Sequence, residues 1–357
     1  MTKRDHALDQ KPMNVKMSDI AARAGTTIGV VSVTLNGAKS KTLRVSEETR
    51  GRVLKAAEEL GYRRDLRASA LATGRNQVIG LMLPHVDSFA TPDPFYSLVT
   101  AGVAAGASRA GYNLMLYTAV AEEEGYRAVE KIDRRIDGLI LVLPPNGTPI
   151  VGECRRQGIE TIAILQLPSE APLTVNSSDY EGGRLATQYL IDLGHRRIAH
   201  LYGNRSIHTS DARYSAYLDA LNAAGIAPKS EWVVEGGFNR SFAFEATRGL
   251  MRLPKDTRPT AIFAANDLSA HGAIEAIVDA GLRVPDDVSV VGYDDTWYAS
   301  MTTPALTTVC MNVDLIGKRA AEMLIATIEG RCVERHPILP VSLTVRRSAG
   351  PPLYSEP

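Results

Sequence analysis

The sequence has little cysteine, no long apolar run, no nucleotide-binding fingerprint and no net charge, and each shortage narrows what the chain can be. Its three cysteines, Cys154, Cys310 and Cys332, stand far apart without CxxC spacing, so neither a disulfide framework nor a zinc site is indicated. No stretch approaches the roughly 18 apolar residues of a membrane span, and residues 1–14 are polar and charged without the apolar core of a signal peptide. A cytoplasmic protein that opens on a flexible tail, 1–14, is therefore expected. None of the strand-to-helix turns reads GxGxxG or GxxxxGKS/T, which leaves nucleotide binding without support. Charge balances at 40 Lys and Arg against 40 Asp and Glu.

What is present begins with how that charge is distributed. Residues 1–77 hold 15 Lys and Arg against 8 Asp and Glu, whereas 78–357 hold 25 against 32, so a basic head precedes an acidic body. A small basic domain suits a phosphate backbone, where each neutralised phosphate releases counterions; a solvated charged face gives the same excess. The 357 residues allow two or three domains at roughly 150 residues each. Apolar content of 45% with 22% charged residues is ordinary for a soluble globular protein.

The basic head contains two short helical patterns. Ile20, Ala21 and Ala24 fall at helical spacing in the first, and Val30, Val31 and Leu35 in the second, so each has one apolar face. Gly25 stands where the first must stop and takes a positive φ without Cβ strain. Thr26 or Thr27 can cap the second. A third pattern over 46–60 opens on Ser46 with Glu47 and Glu48 in its first turn, then repeats Val53, Leu54, Ala57 and Leu60. Two short helices about a glycine turn form a helix-turn-helix, whose second helix enters a DNA major groove. An ordinary three-helix bundle has the same periodicity.

Five motifs in order, D-I-A-A-R-A-G, V-S-V-T-L-N, R-V-S-E-E-T-R, A-A-E-E-L-G-Y and A-S-A-L-A-T-G, resemble the headpiece and hinge of the lactose repressor/galactose repressor (LacI/GalR) family. The resemblance implies a headpiece over 15–62 and a hinge helix over 63–77. It places Thr27, Ile28, Gly29, Ser32, Val33 and Asn36 at the recognition helix, with Met17, Ser18, Arg44, Ser46, Thr49 and Tyr62 on the DNA backbone. Arg67, Ala68 and Leu71 would belong to the hinge, Leu71 wedging into the minor groove. Two residues depart from the pattern. Members usually carry Arg where this chain has Val33, which can meet a thymine methyl but cannot pair bidentately with guanine, and Gly29 offers a base no side chain.

From Val78 onward, β-type runs alternate with amphipathic helices. The runs are 78–83, 113–118, 138–142, 161–165, 198–202, 261–264 and 288–292; the helices span 96–110, 123–134, 180–193, 214–224, 242–253 and 270–280. Alternating units of this kind imply an α/β fold with parallel sheets, and their number favours two lobes. The stretch 78–349 also resembles the family's effector-binding core, a relative of periplasmic sugar-binding proteins, through D-P-F-Y, R-R-I-D-G-L-I-L, L-I-D-L-G-H-R-R-I-A-H-L, A-I-F-A-A-N-D, V-P-D-D-V-S-V-V-G-Y-D-D and P-A-L-T-T-V. The resemblance implies a two-lobed core over 78–350, with lobe 1 at about 78–193 and 310–340, lobe 2 at about 194–309 and 341–350, and a tail at 351–357.

Ligands of open parallel sheets collect at the carboxyl ends of strands. That rule points to His85, Asp87, Asn204, Asn266, Asp267, Asp294 and Asp295. The resemblance adds Asp179 and Arg213 as effector contacts beside Asn266 and Asp294, with Phe95, Tyr96 and Trp297 as flat walls. Structural alternatives accompany these: Asp267 as the cap of the helix after Asn266, Asp294 and Asp295 as a capping turn, Arg213 as a salt-bridge partner. His195 and His200, with no third ligand at zinc spacing, are expected to be structural. The expectation is a dimeric, sequence-specific DNA-binding regulator, most simply a repressor, reading a pseudo-palindromic operator and controlled by a sugar or related metabolite, with no cofactor, metal or catalytic residue. A periplasmic-type solute receptor and a hydrolase using Asp294 or Asp295 are the alternatives.

Overall fold

The computed structural model describes residues 15–36, 44–62, 74–84, 93–117, 132–204 and 207–353. Hinge residues Arg67, Ala68 and Leu71, cleft residues His85 and Asp87, and the helix expected over 123–134, except its last three residues, lie outside that set; 132–134 are not helical. The chain divides into two compact units, Met1–Asn76 and Gln77–Pro357.

The first unit holds α1 (Met17–Ala24), α2 (Ile28–Asn36) and α3 (Glu47–Glu59). The backbone N–H of Lys16 donates to the Asp19 carboxylate at 2.9 Å, Gly25 ends α1 at φ 63°, and Ser46 caps α3 by accepting from the Thr49 N–H at 3.2 Å. Ile20, Ala21, Ala24, Val31, Val53 and Ala56 form the miniature core. Leu54, expected on the inward face of α3, is 50% exposed. At 100° per residue, 53, 56, 57 and 60 share one side of the helix and 54 falls off it.

The second unit contains two six-stranded sheets. The first takes β1 (Val78–Met82), β2 (Asn113–Tyr117), β3 (Gly138–Val142), β4 (Glu160–Ile164), β5 (Thr174–Ser177) and β11 (Ile338–Leu339), in the order β11-β5-β4-β3-β1-β2. The second takes β6 (Ile198–Tyr202), β7 (Val233–Glu235), β8 (Ala261–Ala264), β9 (Ser289–Asp294), β10 (Thr307–Cys310) and β12 (Ser342–Thr344), in the order β12-β10-β9-β8-β6-β7. Every pairing is parallel except β10 with β12. The strand order thus reverses beside β1 in one sheet and beside β6 in the other, the switch points at which α/β sheets leave a crevice. Central strands β3, β6, β8 and β9 are buried along their whole length, as helices on both faces require.

The helices are α4 (Pro94–Arg109), α5 (Ile150–Gln157), α6 (Asp179–Asp192), α7 (His208–Ala223), α8 (Arg240–Met251), α9 (Asp267–Asp279) and α10 (Val313–Ile328). Helix α6 packs on α7 and the second sheet, so the chain leaves the first lobe near Ser178, not near Gly194 as expected. Glycine explains it. A Cβ on Gly182 would lie 2.1 Å from the Tyr293 hydroxyl and one on Gly183 2.8 Å from the Arg213 carbonyl, so only bare backbone fits α6 against lobe 2. The chain returns between β10 of the second sheet and α10, and crosses again between β11 of the first sheet and β12 of the second.

Close helix approach recurs where α4 meets α10. A Cβ on Gly102 would sit 2.0 Å from the Asp314 carbonyl oxygen, and one on Gly317 2.4 Å from that of Val99. Gly102→Ala is expected to destabilise the core by about 1–3 kcal/mol through forced backbone movement. Gly249→Ala, in α8 with nothing within 4 Å, should instead stabilise it by about 0.5–1 kcal/mol. Urea unfolding of both variants checks the contrast; equal effects would contradict it.

Candidate DNA-reading helix and ligand cavity

Helix α2 is presented by burying one of its sides. Val31 is fully buried, while Thr27, Ile28 and Gly29 at its start are exposed and Ser32 and Val33 half-buried. The Thr27 hydroxyl accepts the Val30 N–H at 3.4 Å, and the Arg23–Glu59 ion pair at 2.7 Å ties α1 to α3. Ile28 is 55% exposed, a large apolar side chain that the headpiece core does not cover. Ser18, Arg44 and Ser46 are exposed and Thr49 half-buried, while Met17 and Tyr62 pack against the headpiece core. Asn36 is the last residue of α2.

In the core, the switch points of both sheets converge on one small cavity of about 30 Å³, lined by Asp93, Phe95, Tyr96, Leu143, Leu165, Thr209, Arg213, Phe238, Asn266 and Asp294. Its residues come from strand ends and helix starts. Asp93 caps α4 by accepting the Phe95 N–H at 2.9 Å, with Pro94 preset for the first helical position. Leu143, Leu165 and Asp294 follow or end β3, β4 and β9 at φ 50°, 57° and 106°, left-handed conformations that non-glycine residues seldom hold. The Leu143 N–H donates to the Ile164 carbonyl at 3.0 Å and that of Leu165 to the Val175 carbonyl at 2.9 Å, fixing both turns. Strained backbone of this kind concentrates at functional sites.

Arg213 forms the floor. Its Nε and Nη2 donate to Asp179 Oδ1 at 2.9 and 2.7 Å, Nη1 donates to the Ala265 carbonyl at 2.6 Å, and the guanidinium lies 3.5 Å above the Tyr293 ring. Asp179 thus stands behind Arg213, making it both a salt-bridge partner and a cavity residue. Asn266, not Asp267, caps α9: its Oδ1 accepts the Ser269 N–H at 2.9 Å, and the residue lines the cavity. Asp267 lies beneath, accepting from Thr296 N and Oγ1 and from Thr308 Oγ1.

Electrostatics follow from burial. Desolvation pushes the Asp93 carboxyl up to about 6, against the pull of the Phe95 N–H, and Asp267 up to about 7. Asp294 is raised well above the ordinary carboxylate range by burial, opposed by Arg213 and reinforced by Asp267, Asp93 and Asp179.

Of the residues expected to hold an effector, Phe95, Arg213, Asn266 and Asp294 meet at the cavity, with Tyr96 beside them. Trp297 does not; it opens a short turn, is 52% exposed and stacks edge-on with Tyr298, because the chain after Asp294 turns outward as Asp295 pairs with Arg346 at 2.7 Å. Asp295 is thus an ion-pair partner. Met311 is fully buried in the core. Sequence reasoning missed Asp93, Thr209, Phe238, Leu143 and Leu165; only the Asp-Pro pair opening α4 carried a signal. His195 bonds Thr260, Ser289 and the Gly350 carbonyl, and His200 stacks on Tyr214, Tyr217 and Phe263, with burial lowering its pKa to about 4, so both are structural.

Comparison with known proteins bears on both units. Residues 16–65 match the bacterial regulatory proteins, lacI family, and 187–349 match a periplasmic binding protein-like domain. The HTH-type transcriptional repressor PurR of Pectobacterium carotovorum subsp. carotovorum (strain PC1) is 32% identical over 334 residues, 90% of this chain and 94% of its own length. The chain belongs to the lacI family. It is an effector-controlled, DNA-binding transcriptional regulator. Among solved lacI-type structures, the lac repressor dimer bound to operator and the anti-inducer ONPF has 28% identity and a TM-score of 0.79, covering 94% of this chain and 99% of that one. A complex of the transcriptional regulator CelR with cellobiose has 31% identity and a TM-score of 0.70, covering 94% and 100%. Among the described residues, no helix is long and apolar enough to cross a membrane.

The raised Asp93 pKa carries a stability consequence for this lacI-family core. Its folded pKa lies above the unfolded value, so its cost to folding is absent at pH 3–4, grows as pH rises to about 6 and stays constant above. At 1.36 kcal/mol per unit, Asp93→Asn, which retains the cap, should stabilise the core by about 1–3 kcal/mol at pH 7.5 and by little at pH 4. Denaturant unfolding at the two pH values measures this; a pH-independent effect would contradict it.

Proposed function

We propose that the chain is a cytoplasmic homodimeric repressor without catalytic activity, in which α2 of each headpiece reads one half of a pseudo-palindromic operator and the cavity takes a sugar or related metabolite. Thr27, Ile28, Gly29, Ser32, Val33 and Asn36 meet the bases, and Met17, Ser18, Arg44, Ser46, Thr49 and Tyr62 set the headpiece on the backbone. Arg67, Ala68 and Leu71 act in the hinge. Phe95, Arg213, Asn266 and Asp294 hold the effector, with Asp179 orienting Arg213; His85 and Asp87, outside the described residues, are assigned to the same effector. The observation that carries the reading is the cavity's polar floor, where the Asp294 carboxylate and the Asn266 amide face a space bounded by Phe95, Tyr96 and Phe238. Flat apolar walls with a few convergent polar groups are what a hydroxylated ring requires.

Dimerisation follows from size, since one short recognition helix is too small for usual specific affinity and two-fold operators call for two-fold proteins. Because the cavity is built from both lobes, a ligand that binds one lobe arrangement better shifts the pair toward it and so changes the placement of the two headpieces. Coupling of about 1–3 kcal/mol is typical. The acidic groups Asp93 and Asp294 hold ligand and do not perform hydrolysis.

Selection from random duplexes tests the reading. The full chain should recover a two-fold sequence motif, residues 77–357 alone should recover none yet keep ligand-induced thermal stabilisation, and Arg213→Ala should keep DNA binding while losing response to ligand. Specific DNA binding retained by 77–357 would overturn it.

A further inference from the structure

Resting on the cavity assignment above, we propose that the site selects its effector by charge: it takes a hydroxylated ring that is neutral or amine-bearing and rejects phosphorylated or carboxylated metabolites, with Asp93 setting the preference.

The argument is a count of charge and of hydrogen bonds around one point. Asp294, 5% exposed, ends β9 and feels Arg213 from α7, Asp267 from the start of α9, Asp93 from the cap of α4 and Asp179 from the start of α6. Among the described residues, one guanidinium therefore stands against four carboxyl groups: Asp179 pairs with it and Asp93 is ionised above about 6, while burial holds Asp294 and Asp267 toward their neutral forms. That guanidinium is already engaged by Asp179 and the Ala265 carbonyl and capped by the Tyr293 ring, which leaves little of its charge for an incoming anion. His208, on the same helix, has its pKa lowered by burial and adds no reliable positive charge.

The hydrogen-bond inventory points the same way. Asp267 is satisfied by Thr296 and Thr308, and Asp179 accepts from Arg213 and from Ser177 Oγ at 2.9 Å. Among the described residues the Asp93 carboxylate accepts only the Phe95 N–H, and none donates to the Asp294 carboxyl, which is buried and lines the cavity. An under-satisfied Asp93 carboxylate beside the Asp294 carboxyl in one confined space calls for a ligand that donates to the first and exchanges hydrogen bonds with the second. A hydroxyl or an ammonium group does so; a phosphate brings further acceptors and a like charge, costing several kcal/mol at such range, which is roughly a hundredfold in affinity. Asp93 is the adjustable member, because it sits on the first lobe apart from the Arg213–Asp179–Asp294 floor and its capping role survives replacement by Asn.

Thermal-shift titrations of the full chain with glucose, cellobiose and ribose, each beside its amino and phosphate derivatives, test the proposal. The neutral or amino form of at least one ring should raise the melting temperature, and its phosphate should bind at least about a hundredfold more weakly. Asp93→Asn should narrow the ratio of the two affinities about tenfold or more, the neutral form's own affinity being free to change with the lost carboxylate. A phosphate form that binds as well as its parent, or no response to any of the nine compounds, overturns the charge rule. If the binding that is seen is untouched by both Asp294→Asn and Asn266→Ala, the ligand lies elsewhere and the cavity assignment itself fails; if those variants abolish binding of a preferred phosphate, the assignment stands and only the charge rule falls.

Discussion

The buried pairing of Arg213 with Asp179 is the interaction on which the second unit's cavity depends. Both side chains are withdrawn from water, and such a pair repays its desolvation only when geometry and extra hydrogen bonds are good. Here the guanidinium also reaches the Ala265 carbonyl and lies flat on Tyr293, so one residue joins α6, α7, the end of β8 and the end of β9. The bare backbone at Gly182 and Gly183 lets α6 come close enough for the pair to form. Take the pair away and the cavity loses its floor together with the helix that carries the chain from one lobe to the other.

Around that floor the core accepts several local costs. Leu143, Leu165 and Asp294 hold left-handed backbone, and the half-buried Asp93 and buried Asp294 are carboxyl groups without full partners among the described residues. Costs of this kind persist where surrounding structure over-determines them. In this core the parallel sheets, buried on both faces, supply that rigidity. The headpiece shows the reverse economy of means. A handful of small side chains, Ala21, Ala24 and Ala56 with Ile20, Val31 and Val53, form its core and leave the start of α2 uncovered.

How much of this could be read in the sequence depended on whether an element's pattern was local. The headpiece helices, Gly25 and the Ser46 cap were legible because caps and 3.6-residue periodicity are properties of adjacent residues. Strands β3, β6 and β8 were legible as short apolar runs bounded by turns. Helix α10 was missed although its stripe is local: Asp314, Lys318 and Glu322 recur every four residues on one side, while Ile316, Ala320, Met323 and Leu324 are buried against α4 and the first sheet. The short strands β7, β11 and β12 were missed because they are half-polar edge segments that exist through their pairing. At the site, Arg213, Asn266 and Asp294 were visible as polar residues at strand ends or by family resemblance. Phe238 and Leu165 were not, since nothing in a single apolar residue says that its strand end faces a cavity. Trp297 misled for the complementary reason: its spacing from Asp294 is right, but the Asp295–Arg346 pair turns the chain outward.

The central claim is that ligand in the cavity and operator at the headpieces act on one equilibrium between lobe arrangements. Thermodynamic linkage then requires that each change the other's affinity by the same factor. The direct measurement is the dissociation constant of the effector for the full chain with and without saturating selected operator, set beside that of the operator with and without saturating effector. The account predicts two equal ratios, both different from one. An effector affinity that is the same on and off DNA would contradict it.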